Sequence, residues 1–307
     1  MSRLPLPVKL IIGNIGYKSF QIYMKYNKLK PNVMSAHDTV EYIIKNRCSI
    51  ARYGDGELLW IFQARQDGNF EKNSPELANA LKKVLITPKD NLLIGIPNIF
   101  NNLNNETKNS KTYWEGLVIR HGKEIVQLLK NRVEYGDSRF TRPYMDSKNK
   151  DQDFNSIFNN IKKIWKNRNV LIVEGDKSRF GVGTDLLDDA RSVERVICPS
   201  KNAFEQYNTI LTMVKEKALK IKNVIVLSAL GPTATVLAYD LTNSGIQTID
   251  IGHLDVEYVW YKMQAKSKVS IPGKYVNESS DKFVEIDSKY LETYKKEIIG
   301  VIKEENK

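Results

Sequence analysis

The chain of 307 residues is poor in the features that most often announce a function. It has two cysteines, Cys48 and Cys198, too few for a disulfide framework and wrongly placed for a zinc site. Both sit beside apolar, strand-like runs and are expected as buried free thiols, which fits a reducing, cytoplasmic compartment. No run reaches the eighteen or so apolar residues of a membrane span. Lys9 interrupts the apolar start, Leu4 to Ile15, and no small-residue cleavage site follows, so it is not read as a signal peptide. There is no internal repeat. There is also no dense Lys/Arg block with interleaved aromatics, which argues against a nucleic-acid partner.

What is present is a net charge of +11 and a hydrophobic content of 41%, close to the globular norm and enough for a substantial core. The lysines are spread along helical patterns, so most of the charge reads as a solvated surface. The remainder suits phosphorylated substrates or an anionic membrane surface. Residues 1–34 read as an N-terminal extension and 35–307 as one domain. Val8 to Tyr26 is an amphipathic helix expected to pack on the domain, with peripheral contact at the inner face of a membrane as the alternative. Ser35 is a candidate cap for a helix with Val40, Ile43 and Ile44 as its stripe.

Short apolar runs at Cys48–Tyr53, Asn91–Ile96, Val170–Glu174, Arg195–Cys198, Val224–Ala229 and Thr248–Ile251 read as strands. Helical patterns lie at Leu77–Leu85, around Trp114–Leu128, at Asn155–Lys166, from Gly183 to Ala190, around Phe204–Val214 and at Thr233–Leu241. The tail, Asp287 to Lys303, reads as a charged amphipathic helix. The polar stretch from Asp146 to Phe154 is expected to be a mobile connection. Strands separated by helices imply crossovers and a mainly parallel, Rossmann-like α/β sheet flanked by helices.

The chemistry gathers at four strand ends, where open α/β sheets bind ligands. Arg52-Tyr53-Gly54-Asp55-Gly56-Glu57 places two carboxylates around a glycine; hard oxygen donors suit magnesium or manganese shared with phosphate. A plain surface turn accounts for the same residues. Glu174-Gly175-Asp176-Lys177-Ser178-Arg179 offers two cations and a hydroxyl to a diphosphate, and a salt-bridged turn is the bland alternative. Its glycine spacing is not that of a Walker A loop. Leu230-Gly231-Pro232-Thr233 is a strand-to-helix turn whose amides can face a nucleotide. The fourth, Asp250 to Tyr261, brings His253 as a metal or phosphate ligand, Asp255 or Glu257 as a general base, and aromatics for stacking on a sugar or base.

Taken in order, these segments resemble the GT-D fold glycosyltransferases, first catalogued as the domain of unknown function 1792. The likeness spans about Ile50 to Tyr261. It rests on the four segments above, on Val-Glu-Gly-Asp-Lys-Ser-Arg-Phe-Gly-Val-Gly at 173–183, and on Cys-Pro-Ser-Lys-Asn-Ala-Phe at 198–204. The resemblance implies a GT-D-type sheet, a nucleotide-sugar donor, and a divalent metal (Mn2+ or Mg2+) at an Asp-x-Glu motif that Asp55 and Glu57 match. It also implies work on bacterial surface glycans or glycosylated adhesins.

The expected function is transfer of a hexose from a UDP-sugar, UDP-glucose or a close relative, to a glycan or glycoprotein acceptor. Metal is expected at Asp55, Glu57 and His253. Arg52, Tyr53, Gly54, Lys177, Ser178, Arg179, Gly231 and Thr233 are expected around the donor, and Asp255 and Glu257 at the acceptor. The competing readings are a non-catalytic nucleotide-sugar-binding partner of other glycosyltransferases, and a nucleotide-sugar phosphohydrolase.

Overall fold

The computed structural model describes residues 6–63, 71–129, 134–276 and 287–303, with side chains from residue 11 onwards. In chain order the first half contains α1 (Leu6–Tyr26), α2 (Ala36–Asn46), β1 (Ser49–Arg52), α3 (Asp55–Ile61), α4 (Pro75–Ile86), β2 (Leu92–Ile96), α5 (Lys108–Leu129), β3 (Gly136–Asp137) and α6 (Phe154–Lys162). The second half contains β4 (Asn169–Gly175), β5 (Ser192–Cys198), α7 (Tyr207–Lys220), β6 (Val224–Ala229), α8 (Pro232–Thr242), β7 (Thr248–Asp250), α9 (Leu254–Lys262), α10 (Ser288–Glu297) and β8 (Ile298–Val301). Ser35 caps α2 as expected, accepting the amide of Asp38 at 3.0 Å.

The eight strands form one sheet in the order β3-β2-β1-β7-β6-β4-β5-β8, every neighbouring pair parallel. Side chains alternate across it, so each strand feeds two layers. Ile50, Leu93, Ile172 and Leu227 pack with α2, α6 and α9. Ala51 and Ile94 pack with α1, α3, α4 and α5, and Leu171, Val173 and Val226 with α7 and α8. A sheet covered on both faces explains why its strands read as continuous apolar runs. Because all strands run the same way, their carboxyl ends open along one edge. Cys48 and Cys198 are buried and free, and burial pushes both thiols up to about 12.

α1 lies on the domain. Tyr17, Phe20 and Met24 are buried, Tyr17 Oη donates to the carbonyl of Ile99 at 2.5 Å, and Gln21 donates to that of Phe100 at 2.9 Å. Among the described residues no helix is long and apolar enough to cross a membrane.

Two expectations about local structure fail. Residues 183–190 form consecutive turns and no helix. Arg179, Gly181 and Gly183 take positive φ, and the turn is tied inward where Phe180 N–H donates to Glu174 (2.6 Å) and Gly181 N–H to Asp255 (2.9 Å). The tail helix stops at Glu297, and Ile298–Val301 joins the sheet as β8 beside β5. The β-branched run Ile298-Ile299 favours a strand, and pairing covers an edge that would otherwise be open. The expected connection at 146–154 is held by hydrogen bonds of Thr107 N–H to Asp146 O (3.1 Å) and Lys148 N–H to Asn105 O (2.7 Å).

A fully buried ion pair fastens this second half. Arg195, 2% exposed, donates to Glu174, 0% exposed, at 2.7 Å, and also to Glu297 at 2.6 Å and to the carbonyl of Phe180 at 2.9 Å. Arg195→Met strands the Glu174 charge in the core and is expected to cost about 3–5 kcal/mol in denaturant unfolding. Adding Glu174→Gln should recover most of that loss.

Candidate active site

The carboxyl ends of β1, β2, β4, β6 and β7 surround a cavity of about 1060 Å³. Its wall includes Arg52, Gly54, Asp55 and Glu57 from the first motif, and Gly175, Lys177 and Ser178 from the second. Leu230 and Gly231 come from the third, and Asp250, Gly252, His253 and Asp255 from the fourth. All four distant segments therefore meet. The amino ends of α3, α8 and α9 border the same space, which favours an anion there.

Arg52 is the floor of the site. Its Nε donates to Ser138 O at 2.8 Å, its Nη1 lies 3.2 Å from Asp250 Oδ1, and its backbone N–H donates to Asp250 Oδ2 at 3.2 Å. Thr235 Oγ1 donates to the same carboxylate at 3.1 Å. Burial pushes the Asp250 carboxyl up, opposed by the Arg52 charge and these hydrogen bonds. Gly252 makes room for the guanidinium: it sits at φ 48°, and a Cβ there would overlap Arg52 Nη1.

Asp55 opens α3, and its carboxylate accepts the hydroxyl of Tyr113 from α5. Glu57 folds back over the same turn, where its Oε2 accepts the Gly54 amide at 2.8 Å, as in a capping box. Burial pushes the Glu57 carboxyl up to about 7, with the neighbouring Asp250 and Asp55 charges adding to the rise. Asp55 and Glu57 are hard oxygen donors of the kind that magnesium or manganese takes, two from the protein at most, so an ion here would need its remaining ligands from elsewhere. Among the described residues no three His, Cys, Asp or Glu side chains converge to hold an ion. His253 thus lines the cavity as the N-cap of α9 but does not complete a protein-only triad with Asp55 and Glu57.

Several expected residues lie elsewhere. Tyr53 alternates with Arg52 to the opposite face of the sheet, where it is buried and donates to Leu81 O at 2.7 Å. Thr233 is buried one step behind Gly231 and donates to Glu71 at 3.2 Å. Arg179 turns away to the carbonyl of Gly273 at 2.9 Å. Asp255 reaches the cavity with both oxygens engaged, Oδ1 by Gly181 N–H (2.9 Å) and Oδ2 by Lys274 (2.5 Å). Glu257 is wholly buried, and its Oε2 accepts the amides of Tyr144 and Met145, each at 2.9 Å. Tyr258 and Trp260 are core residues, and Tyr261 stacks among Phe158, Phe154 and Tyr144, so none of these aromatics lines the cavity.

Other lining residues carried no expectation. Arg139, held by Glu106, and Arg142, Lys266 and Lys268 add positive charge on one wall. Tyr113 and Tyr275 present exposed rings, at 44% and 41%. Glu71 is buried (3% exposed) and accepts from Phe204 N–H and Thr233 Oγ1, both at 3.2 Å. An acid closing an apolar strand, such as Asp250, is a signal the sequence does carry. Glu71 and Arg139 stand in polar surroundings that give none.

Burial pushes the Glu71 carboxyl up to about 7 against those hydrogen bonds. Between the ordinary glutamate range and about pH 7 the folded state holds a proton that the unfolded state has lost, so stability should fall as pH rises through this window. Glu71→Gln should flatten that fall, removing a cost on the order of 3 kcal/mol above pH 7. Thermal midpoints of both proteins from pH 4.5 to 8 check this.

Sequence comparison matches residues 50–279 to the family described as Glycosyltransferase GT-D fold. A probable glycosyl transferase, Gly, of Streptococcus gordonii is 34% identical over 80% of this chain, and the glycosyltransferase GlyD of Streptococcus pneumoniae serotype 4 is 34% identical over 88%. The chain spans about a third of the length of these relatives, 35% and 32%. Among solved structures, one of the domain of unknown function 1792, described as having a distinct glycosyltransferase fold, superposes with a TM-score of 0.83 at 32% identity; the match covers 95% of this chain and 100% of that one. A glycosyltransferase of the same domain type from Streptococcus sanguinis gives 0.81 at 32% identity, covering 89% and 100%.

Proposed function

The chain belongs to the GT-D-fold glycosyltransferase family, and on that premise we propose that it moves a hexosyl group from a UDP-sugar to a hydroxyl of a glycan or glycoprotein acceptor in bacterial surface-glycan synthesis. UDP-glucose or a close relative is the donor. The observation that carries this reading is the convergence of Asp55, Lys177, Gly231 and His253 on one cavity at the carboxyl edge of the sheet.

The reaction breaks the bond between the anomeric carbon and the diphosphate oxygen and forms one to the acceptor oxygen, whose proton is released. Negative charge grows on the leaving UDP. Lys177, the Gly231 turn and the amino end of α8 offset it, and the backbone of that turn, set by the fold before reaction, needs no reorganisation. Arg52, anchored by Ser138 and Asp250, is held in place as a further cation. Asp55 and Glu57 would hold a magnesium or manganese ion. Such an ion supplies Lewis-acid neutralisation of the diphosphate. His253 borders that space and serves the ion or a phosphate oxygen.

Of the two carboxylates assigned to the acceptor, Asp255 is the one at the cavity. Its pairing with Lys274 suits it to orienting a hydroxyl more than to removing a proton. Glu257 acts at a distance: by fixing the Tyr144 and Met145 amides it sets the wall formed by Met145 and Asp146. Tyr113 and Tyr275 are the ring faces available to a sugar or base.

Incubation with UDP-sugars, Mn2+ and a glycan acceptor should yield UDP and an extended glycan. Asp55→Asn and Glu57→Gln should each lower that rate by about 100-fold or more while the protein stays folded. Full transfer by Asp55→Asn in the presence of chelator contradicts the assignment. Free sugar or sugar phosphate as sole product favours the phosphohydrolase, and nucleotide binding without turnover favours the non-catalytic partner.

A further inference from the structure

We propose that the outer face of α1 is a docking surface for an anionic lipid bilayer. The helix has two apolar arcs. The inner one is occupied by Tyr17, Phe20 and Met24, buried against the domain. The outer one carries Ile11, Ile15, Ile22 and Tyr26, which are 61%, 61%, 70% and 86% exposed. Spacings of four, seven and four residues put these side chains in one stripe along the helix, opposite the buried arc. A row of large apolar side chains held in water marks an interaction face.

Charge selects the occupant. α1 contains no aspartate or glutamate, and Lys18 and Lys25 run along one edge of the stripe. On the neighbouring α5, Lys123 stands over the Tyr23 ring and Arg120 is exposed. The chain as a whole carries +11. An apolar stripe edged by lysines and free of carboxylates is the pattern of a helix lying in the plane of anionic headgroups, apolar side down and lysines reaching the phosphates. A second copy fits poorly, since pairing two such stripes sets lysine rows against each other.

The placement of α1 gives the docking a consequence. Its Gly13, Gly16 and Phe20 meet Glu115, Ile119 and Gly122 in turn, so α1 and α5 run parallel. The opening turns of α5 line the cavity through Asn109, Ser110, Tyr113 and Trp114. The amino-terminal half of α1 therefore packs on the helix that forms part of the cavity wall, with the stripe on its outer side. A docked α1 would hold the cavity near the headgroups, where an acceptor carried on a lipid or a membrane-anchored protein is presented; this last step rests on the transferase reading above, whereas the docking does not.

The test is flotation of the 307-residue chain with vesicles of equal phosphatidylglycerol and phosphatidylcholine, and with phosphatidylcholine alone, at low and high salt. The protein should float with the anionic vesicles, less so at high salt, and not with the neutral ones. Ile15→Asp/Ile22→Asp should reduce the bound fraction by about tenfold while leaving the thermal midpoint and UDP binding unchanged. Absence of flotation with anionic vesicles, or equal flotation of native and variant protein, overturns the proposal. A native dimer that the variant makes monomeric, without flotation, overturns it in favour of a second copy.

Discussion

The cavity depends on one ion pair, Arg52 at its floor with the buried Asp250. The two strands that carry them, β1 and β7, join the halves of the sheet, yet they are matched at a single register position, Ile50 opposite Ile249. Elsewhere the sheet is sewn by long ladders, such as the one from Asn169 opposite Ser192 to Gly175 opposite Cys198. At the β1–β7 seam side chains take over. Gln247 donates to Cys48 O at 2.9 Å, Ser49 Oγ accepts from the Thr248 amide at 3.0 Å, and the Thr235 hydroxyl, with one proton to give, lies between Arg52 O (2.9 Å) and Asp250 Oδ2 (3.1 Å). Removing one member leaves the other charge buried without compensation, so the seam and the floor of the site stand or fall together.

Above that seam the charges are sorted. Arg52, Lys177, Arg139, Arg142, Lys266 and Lys268 and the amino ends of three helices present positive potential. The acids are either neutralised by a partner, as Asp250 and Asp255 are, or held in places where burial raises their proton affinity, as Glu57 and Glu71 are. Glu57 also has Asp250 and Asp55 as close electrostatic company. The Asp-x-Glu spacing alone does not create this geometry, because residues two apart on a helix point in different directions. Both carboxylates stay at the first turn here because Glu57 curls back to meet the Gly54 amide.

The same spacing rule explains what was legible in the sequence and what was not. Strand ends were readable because a doubly covered parallel sheet writes its strands as apolar runs, and the polar residues that follow them must face the open edge. The four motifs and their convergence follow from that. Side-chain direction within a motif was less legible. Tyr53 follows Arg52 and therefore faces the other layer. Asp255 and Glu257 are two apart on α9, so Asp255 faces the cavity and Glu257 the core. β8 was hidden because its edge pairing with β5 is a long-range contact that overrides the helical pattern of the tail. The turns at 183–190 were hidden because glycines at positive φ stop a helix that apolar spacing suggests.

The most direct test is a crystal structure of the chain with UDP and Mn2+. The ion should sit between the carboxylates of Asp55 and Glu57, with the diphosphate against the Gly231 turn and within reach of Lys177. A nucleotide bound outside this cavity, or an ion with neither carboxylate among its ligands, would contradict the account.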